Sequence, residues 1–148
     1  MKLDKYTLFA TRSHTKFRFQ SIGPRGKIDK IVEFQQTEIE NYFNLAFGDL
    51  NIDSNDFDDF AISNNGDSEK VLATVVQALS DFLDAHPNAT VYATGSTTVR
   101  TRLYQIGISR FGEEASDWLD IYGENESGFE PFVFGRKYQG FLVTKKIS

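Results

Sequence analysis

The stretch VYATGSTTVRTRLY, residues 91–104, carries the side chains of this sequence that are best suited to bind an anion. Gly95 follows a strand-like run and permits a tight turn, after which a helical pattern begins. The first backbone N–H groups of a helix have no partner within the helix and bind phosphate or carboxylate well. Hydroxyl and guanidinium groups add to this donor set, and they belong to Ser96, Thr97, Thr98, Arg100 and Arg102. Because Ser and Thr are also common N-cap residues, the alternative is a capped helix with solvated arginines.

A second glycine-containing turn, in SNNGDSEKVL at residues 63–72, also leads into a helical pattern. Asn65, Gly66 and Ser68 place amide and hydroxyl donors at the start of that helix, so this turn is a second candidate phosphate cradle. Asp67 lies in the same turn and would repel an anion. The alternative is a tight turn followed by an N-cap from Asp67 or Ser68, since Asn and Gly tolerate positive φ.

Metal and nucleophile chemistry have little support in the sequence. There is no cysteine, and His14 and His86 are far apart, so neither thiolate chemistry nor a hydrolase triad is expected. The acidic stretch DLNIDSNDFDDF (49–60) begins like an EF-hand loop, but Ser54 replaces its glycine and Phe60 its bidentate glutamate. We therefore expect no metal site here, and instead a solvated acidic loop or a surface for a basic partner.

The most basic segment is residues 12–30, in which Asp29 is the only acid. Its strand-like part, KFRFQSIG (16–23), alternates charged and aromatic residues, and such a pattern can bind single-stranded nucleic acid by stacking. Alternate strand residues face opposite sides, however, so the rings of Phe17 and Phe19 are expected in the core. The net charge of −5 also argues against a general nucleic-acid binder. A protein partner or a small phosphate-containing ligand is therefore favoured over nucleic acid.

Strand patterns dominate the first part of the chain. Two alternating runs flank the turn GPRG and predict a hairpin over residues 16–36. NYFNLAFGDL (41–50) predicts a third strand, and DFAISNNGD (59–67) a short fourth one. ATVYATG (89–95) is a later strand, and residues 129–147 predict two closing strands around GRKYQG.

Two helices are predicted between these strands. SEKVLATVVQALSDFLDAHP (68–87) has apolar residues at helical spacing and stops at a proline. A second helix is predicted to begin near Thr97 and to end near Gly112, and its Ile106 is expected to face the core. Residues 113–123 are interpreted as a further helical stretch.

The predicted order is therefore β-β-β-β-α-β-α-β-β in an α+β fold, with a twisted, mostly antiparallel mixed sheet and two main helices. A chain of 148 residues fits a single domain, 1–148. No apolar run is long enough to cross a membrane and no signal peptide is visible at the start, so we expect a cytoplasmic protein with no membrane partner.

Four stretches together resemble a bacterial domain family of unknown function, of Bacteroidetes type. They are FRFQSIGPRGKIDKIVEF, NLAFGDL, SNNGD and GSTTVRTRLY. The resemblance spans nearly the whole chain. It implies a cytoplasmic bacterial protein and no particular chemistry.

Residues 59–111 resemble, at the level of fold, the second half of a GCN5-related N-acetyltransferase. In that family a Q/R-x-x-G-x-G/A turn holds the cofactor pyrophosphate, and in SNNGDS only Gly66 matches the pattern. A tyrosine of the late helix often serves as general acid, and RLYQIGI places Tyr104 there. The family's two helices before the long strands have no room in this chain. The resemblance implies acyl-CoA as cofactor and, for an enzyme, an acyltransferase with a degraded cofactor loop.

The segment from Ser63 to Ser96 also resembles the helix and fourth strand of ribonuclease-H-like domains, which is the alternative fold. Those nucleases need clustered carboxylates for two metal ions, and here Gly95 stands at the strand position of an Asp. Two functional hypotheses remain. One is an acetyltransferase-like protein that binds acyl-CoA or another phosphate-containing ligand at strand-to-helix turns. The other is a non-enzymatic binding module that contacts a protein or nucleic-acid partner, as in a toxin–antitoxin or phage-related system.

Overall fold

The structure is a computed structural model that describes residues 5–51, 56–58, 66–94, 98–133 and 135–146. Within these ranges the elements are, in chain order, β1 (Phe9–Ala10), β2 (Lys16–Gly23), β3 (Gly26–Gln36), β4 (Tyr42–Asn51), β5 (Asp56–Asp58), α1 (Ser68–Ala85), β6 (Thr90–Ala93), α2 (Thr98–Ala115), β7 (Leu119–Asn125), β8 (Gly128–Pro131) and β9 (Gly140–Lys145).

The described strands form one mixed sheet in the order β1-β2-β3-β4-β6-β9-β7-β8, with β5 paired to β4 beside this path. β4 and β6 run parallel, and every other pair is antiparallel. β6 and β7 are also parallel to each other, because both are antiparallel to the β9 strand between them. Each helix therefore crosses over between parallel strands, and the predicted α+β class with a mostly antiparallel mixed sheet is confirmed.

The hairpin β2–β3 follows the predicted pattern. Phe17 and Phe19 are buried, whereas Arg18 between them is exposed. Gly26 closes the turn with φ of 87°, a left-handed conformation that glycine adopts without strain. The two rings therefore belong to the core, and only the charged side chains of this strand face solvent.

Helix α1 packs its apolar face onto the side of the sheet that carries Phe17 and Phe19. The ring of Phe82 stacks on Phe34 of β3 at 4.2 Å between centroids and meets Phe43 of β4 edge-on at 4.9 Å. Aromatic pairs of this geometry contribute beyond their buried area. Helix α2 lies beside α1, since Gly107 faces the side chain of Leu72. The opposite face of the sheet, which we call the open face, has no described helix against it.

The predicted element order was wrong in number and in pairing. Among the described residues, five strands precede α1 and three follow α2. The two-residue β1, the strand β7, and β5, which lies in the stretch interpreted as an acidic loop, were not predicted. Residues 113–123 do not form a further helix: α2 runs to Ala115, and the chain then enters β7. β8 and β9 are not partners of each other, since β7 pairs with both. Residues 59–65, most of the predicted fourth strand, lie outside the described residues.

One prediction about the helices was wrong, and one holds only for the position of the cap. Ile106, expected to face inward, is 42% exposed, and the described inward positions of α2 include Tyr104, Ile108 and Phe111. Asp67 occupies the N-cap position of α1 but makes no side-chain capping bond. Its carboxylate has other partners, described below.

Candidate functional site

The parallel strands β4 and β6 pair only over a short length. Their register joins Tyr42 to Thr90 and ends at Asn44 and Tyr92. Further along, the same edge of β4 pairs with β5 from Asp49 onward. We call the place where β4 and β6 separate, beyond Asn44 and Tyr92, the β4–β6 split.

Both helices begin on the side of the sheet toward which β4 and β6 run. α2 starts at Thr98, shortly after the carboxyl end of β6. Asp67, the residue before α1, contacts Ser21 of β2. In the sheet register Ser21 lies beyond the pair of Lys30 and Asp49, on the side toward which β4 runs. The backbone thus brings the starts of α1 and α2 to the same side of the sheet.

The first turn is closed by the N-terminal segment of the chain. Gly66 has φ of 74°, as expected for a glycine turn. The Asp67 Oδ2 atom accepts a 2.5 Å hydrogen bond from the Tyr6 hydroxyl and a 2.6 Å bond from Ser21 Oγ. Burial raises the pKa of Tyr6, and its bond to Asp67 raises it further. The ammonium group of Lys70 lies 4.3 Å from the Tyr6 ring centroid. This turn therefore contains a carboxylate that accepts hydrogen bonds from two hydroxyl groups, and its negative charge disfavours the binding of an anion here.

A buried ion pair lies under the sheet beside this turn. Lys30 is 1% exposed, and its Nζ atom lies 2.5 Å from Asp49 Oδ1. The same ammonium group lies 6.0 Å from the ring centroid of Phe47. Burial of a charge is costly unless it is paired, so Lys30 and Asp49 depend on each other for their place between β3 and β4.

The other predicted binding residues divide into three groups. Ser68, Thr98 and Arg100 lie in the first turns of the helices, where only their backbone is described, and Arg102 is exposed on α2. The first turn of α2 contains no acidic residue. The remaining predicted residues lie outside the described residues, and they are Asn65, Gly95, Ser96 and Thr97.

Tyr104, the predicted general acid, lies on the helix side of the split. It is 6% exposed and lines a small apolar cavity of about 30 Å³. Leu45 of β4 and Ala93 of β6 line the same cavity, so it lies where the two strands separate. A space of this size holds roughly one water molecule. The remaining lining residues are Leu72, Val75, Val76, Leu79, Gly107, Ile108 and Val143.

A tyrosine–glutamate pair lies on the open face near the split. The Tyr92 hydroxyl donates a hydrogen bond to Glu124 Oε1 on β7. Burial and this bond raise the pKa of Tyr92 to about 12. Burial also raises the pKa of Tyr42, and the charge of Glu124 adds to the effect. Gly140 of β9 lies between the pair, where a Cβ atom would be 2.9 Å from the Tyr92 hydroxyl oxygen.

Comparison with protein families shows where the chain belongs. Residues 2–146 match the model of a family of unknown function, DUF6934. The chain is a member of the DUF6934 family. No curated protein and no solved structure matches it.

The DUF6934 fold thus presents two chemically distinct surfaces beside the split. The helix side is apolar around Tyr104, whereas the open side holds Tyr92 and Glu124. Among the described residues, no group of three or more His, Cys, Asp or Glu side chains is arranged to hold a metal ion. None of the described helices is long and apolar enough to cross a membrane.

Several residues of the candidate site were not predicted from the sequence. Burial of Ser21 could have been predicted, because the alternation that buries Phe17 and Phe19 also buries Ser21. Tyr6 and Glu124 gave no local signal, since each acts through contacts made by distant parts of the chain.

Proposed function

We propose that this chain binds acyl-CoA or a closely related phosphate-containing ligand at the β4–β6 split. The observation that carries the proposal is the early end of the β4–β6 pairing on the side where both helices begin. Ala93 of β6 and Tyr104 of α2 line a small apolar cavity at the same place, on the helix side of the split.

The phosphate groups fit the start of α2 better than the start of α1. The N-terminal ends of helices attract anions through their unpaired N–H groups and the helix dipole. At α1 the carboxylate of Asp67 opposes this attraction, whereas α2 has no acid in its first turn and carries Arg100 and Arg102. Thr98 begins α2, and Gly95, Ser96 and Thr97 precede it in the sequence.

The order of the elements from β4 onward supports an acetyltransferase-like fold for this part of the chain. A helix joins the parallel strands β4 and β6, a second helix follows, and the last strand enters the sheet between β6 and β7. In an acyltransferase of this kind Tyr104 would be the general acid that returns a proton to the departing thiolate of CoA. Its place at the split supports that role. We further propose a bacterial, cytoplasmic setting for the protein.

Thermal unfolding with added CoA tests the binding proposal. At one hundred times its Kd a ligand stabilises by about 2.7 kcal/mol, which for a domain of this size is a rise in Tm of roughly 5–10 °C. Arg102→Glu is expected to remove most of the rise. The matched control is Arg12→Glu in the β1–β2 turn, which makes the same charge change on an exposed residue. No rise with millimolar CoA would refute the proposal.

Tyr104→Phe separates binding from catalysis. The ring still fills its place beside the cavity, so CoA should raise the Tm as it does in the unsubstituted protein. Transfer from acetyl-CoA to an amine should fall by a factor of about 10²–10⁴, the range of general acid–base contributions. Equal transfer rates for Tyr104→Phe and the unsubstituted protein would exclude Tyr104 as the acid.

A second candidate function, that of a non-enzymatic module for a protein partner, has one observation in its favour. Phe9 and Ile22 are 67% and 57% exposed, and both lie on the open face of the hairpin edge with Arg18. An exposed apolar strip beside basic residues suits an acidic protein surface better than a nucleic acid, because the hairpin rings are buried. Phe9→Ser with Ile22→Ser should abolish capture of such a partner and leave the CoA response intact.

A further inference from the structure

The open face carries a group of aromatic and acidic side chains across β4, β6, β9, β7 and β8. We call it the open-face cluster, and it consists of Tyr42, Tyr92, Glu124, Phe129 and Leu142. The rings of Tyr92 and Phe129 meet edge-to-face at 6.3 Å between centroids, and Phe129 is 47% exposed. Leu142 pairs with Tyr92 in the sheet register and lies on the same face. The cluster is therefore a partly exposed aromatic surface with an apolar floor.

Glu124 is the polar centre of this cluster. Its Oε1 atom accepts the hydrogen bond from Tyr92, and within the described ranges its side chain makes no other hydrogen bond or ion pair. A carboxylate accepts several hydrogen bonds, so Oε2 keeps its capacity to accept. The side chain is half-buried, so Oε2 remains accessible to a hydrogen-bond donor from a ligand or from solvent.

The charges on this part of the open face have one sign. In the described strands β4, β6, β9, β7 and β8, the charged residues on this face are Asp120 and Glu124. Lys145 of β9 points to the helix side, where it pairs with Asp84 of α1. Arg136 is bound to Glu130, whose position in β8 faces the helix side. This part of the open face therefore presents negative charge and aromatic rings to solvent, and both attract cations.

We propose that the open-face cluster binds a primary ammonium group on a short apolar stem. The ammonium group donates to Glu124 Oε2 and lies against the faces of Tyr42, Tyr92 and Phe129, while the stem packs on Leu142. Such a group is presented by a lysine side chain of a partner protein or by a free alkylamine. This inference stands on the open face alone and does not rest on the proposed CoA binding.

An NMR titration of the ¹⁵N-labelled full chain tests the proposal at neutral pH. n-Butylammonium should shift the amide signals of Tyr92, Glu124 and Gly140 in a saturable way, and its neutral shape analogue 1-butanol should not. Equal shifts with butanol would overturn the proposal without any variant. N-acetyl-lysine methylamide distinguishes the source, since tighter binding than butylammonium indicates a protein side chain and equal or weaker binding a free amine.

Two variants test whether the charge of Glu124 accounts for the binding of butylammonium. Glu124→Gln should weaken butylammonium binding at least about tenfold, because the charge-assisted bond is lost. Glu126→Gln removes the same charge from the exposed β7–β8 turn and should leave the affinity unchanged. Equal affinity of Glu124→Gln and the unsubstituted protein would overturn the proposal.

Substitutions of Tyr92 distinguish a binding role from a purely structural one. Tyr92→Phe keeps the ring and frees Glu124 Oε1, so butylammonium binding should be retained or tightened. Tyr92→Leu loses the ring and should weaken binding severalfold. If Tyr92→Phe abolished binding while the other amide signals kept their positions, the hydroxyl rather than the ring and carboxylate would be the essential group, and the proposal would be wrong.

Discussion

The hydroxyl group of Tyr92 on β6 reaches past β9 and donates a hydrogen bond to the carboxylate of Glu124 on β7. The bond is possible because Gly140 occupies the position between them, facing the same side of the sheet. A side chain there would meet Tyr92 and Glu124 at once. The glycine therefore permits a polar contact between two strands that are not neighbours.

Gly140→Ala is expected to destabilise the protein by about 1–3 kcal/mol, the usual cost of forcing atoms into a filled site. The new Cβ atom would lie 2.9 Å from the Tyr92 hydroxyl oxygen and 3.0 Å from Glu124 Oε1. Urea denaturation measures the loss. In the Tyr92→Phe background the same substitution should cost less, since one of the two crowded oxygens is gone.

The matched control for that experiment is Gly107→Ala in α2. Its Cβ atom would meet Leu72 at an ordinary 3.4 Å, and alanine favours a helix over glycine by up to about 1 kcal/mol. We expect unchanged or increased stability for this variant. A similar loss for both alanine variants would contradict the account given for Gly140.

The titration of Tyr92 should make stability depend on pH in the alkaline range. Its pKa is raised from 10.0 to about 12 in the folded protein, so the folded state keeps the phenolic proton to higher pH than the unfolded state. The resulting stabilisation is fully present below pH 10 and is lost as the pH rises towards 12. Urea midpoints between pH 8 and pH 11.5 should fall more steeply for the unsubstituted protein than for Tyr92→Phe. Parallel curves would show that Tyr92 contributes nothing.

The elements that sequence patterns predicted well are those whose evidence is local. The hairpin over residues 16–36 follows from alternation and turn residues, and α1 follows from apolar spacing. β7 was missed because residues 113–123 begin with helix-favouring residues, which continue α2 as far as Ala115. Its strand conformation is stabilised by pairing with β9, which lies about twenty residues further along the chain. Tertiary pairing overrides local preference in such segments.

Some residues of the candidate site could likewise be found from the sequence, whereas others required the structure. Tyr104 was singled out by resemblance, and its role as general acid stays a prediction; the structure shows it beside the cavity where β4 and β6 separate. The contacts of Tyr92 with Glu124 and of Tyr6 with Asp67 depend on sheet register and on docking of the N-terminal segment. Neither register nor docking is encoded in the spacing of nearby residues, so both pairs required the structure.

The buried pair of Lys30 and Asp49 should matter far more than an exposed pair of the same charge. Lys30→Met leaves the largely buried Asp49 carboxylate without its 2.5 Å partner, and breaking such a pair costs about 3–5 kcal/mol. Arg110→Met removes an exposed cation 3.4 Å from Glu69 and should cost at most about 1 kcal/mol. Urea denaturation at pH 7 compares the two. Equal losses would mean that burial of Lys30 has no energetic consequence.

The N-terminal segment should stabilise the start of α1 through the hydroxyl group of Tyr6. Tyr6→Phe removes the 2.5 Å bond to Asp67 and the 3.1 Å bond from the Ile22 amide, whereas the ring can still stack on Phe19. Because the bond to a carboxylate is charge-assisted, we expect a loss of about 1–3 kcal/mol and faster hydrogen exchange at the Ile22 amide.

The control for this substitution is Tyr122→Phe on the open face of β7, where the hydroxyl group makes no hydrogen bond within the described part of the chain. It removes the same atom from the same residue type and should change neither stability nor exchange at Ile22. Unfolding that is unaffected by Tyr6→Phe, with Ile22 exchange as slow as before, would show that the segment is held by its ring contacts alone. The Asp67 carboxylate would then gain its stabilisation from Ser21, and Ser21→Ala should carry the loss instead.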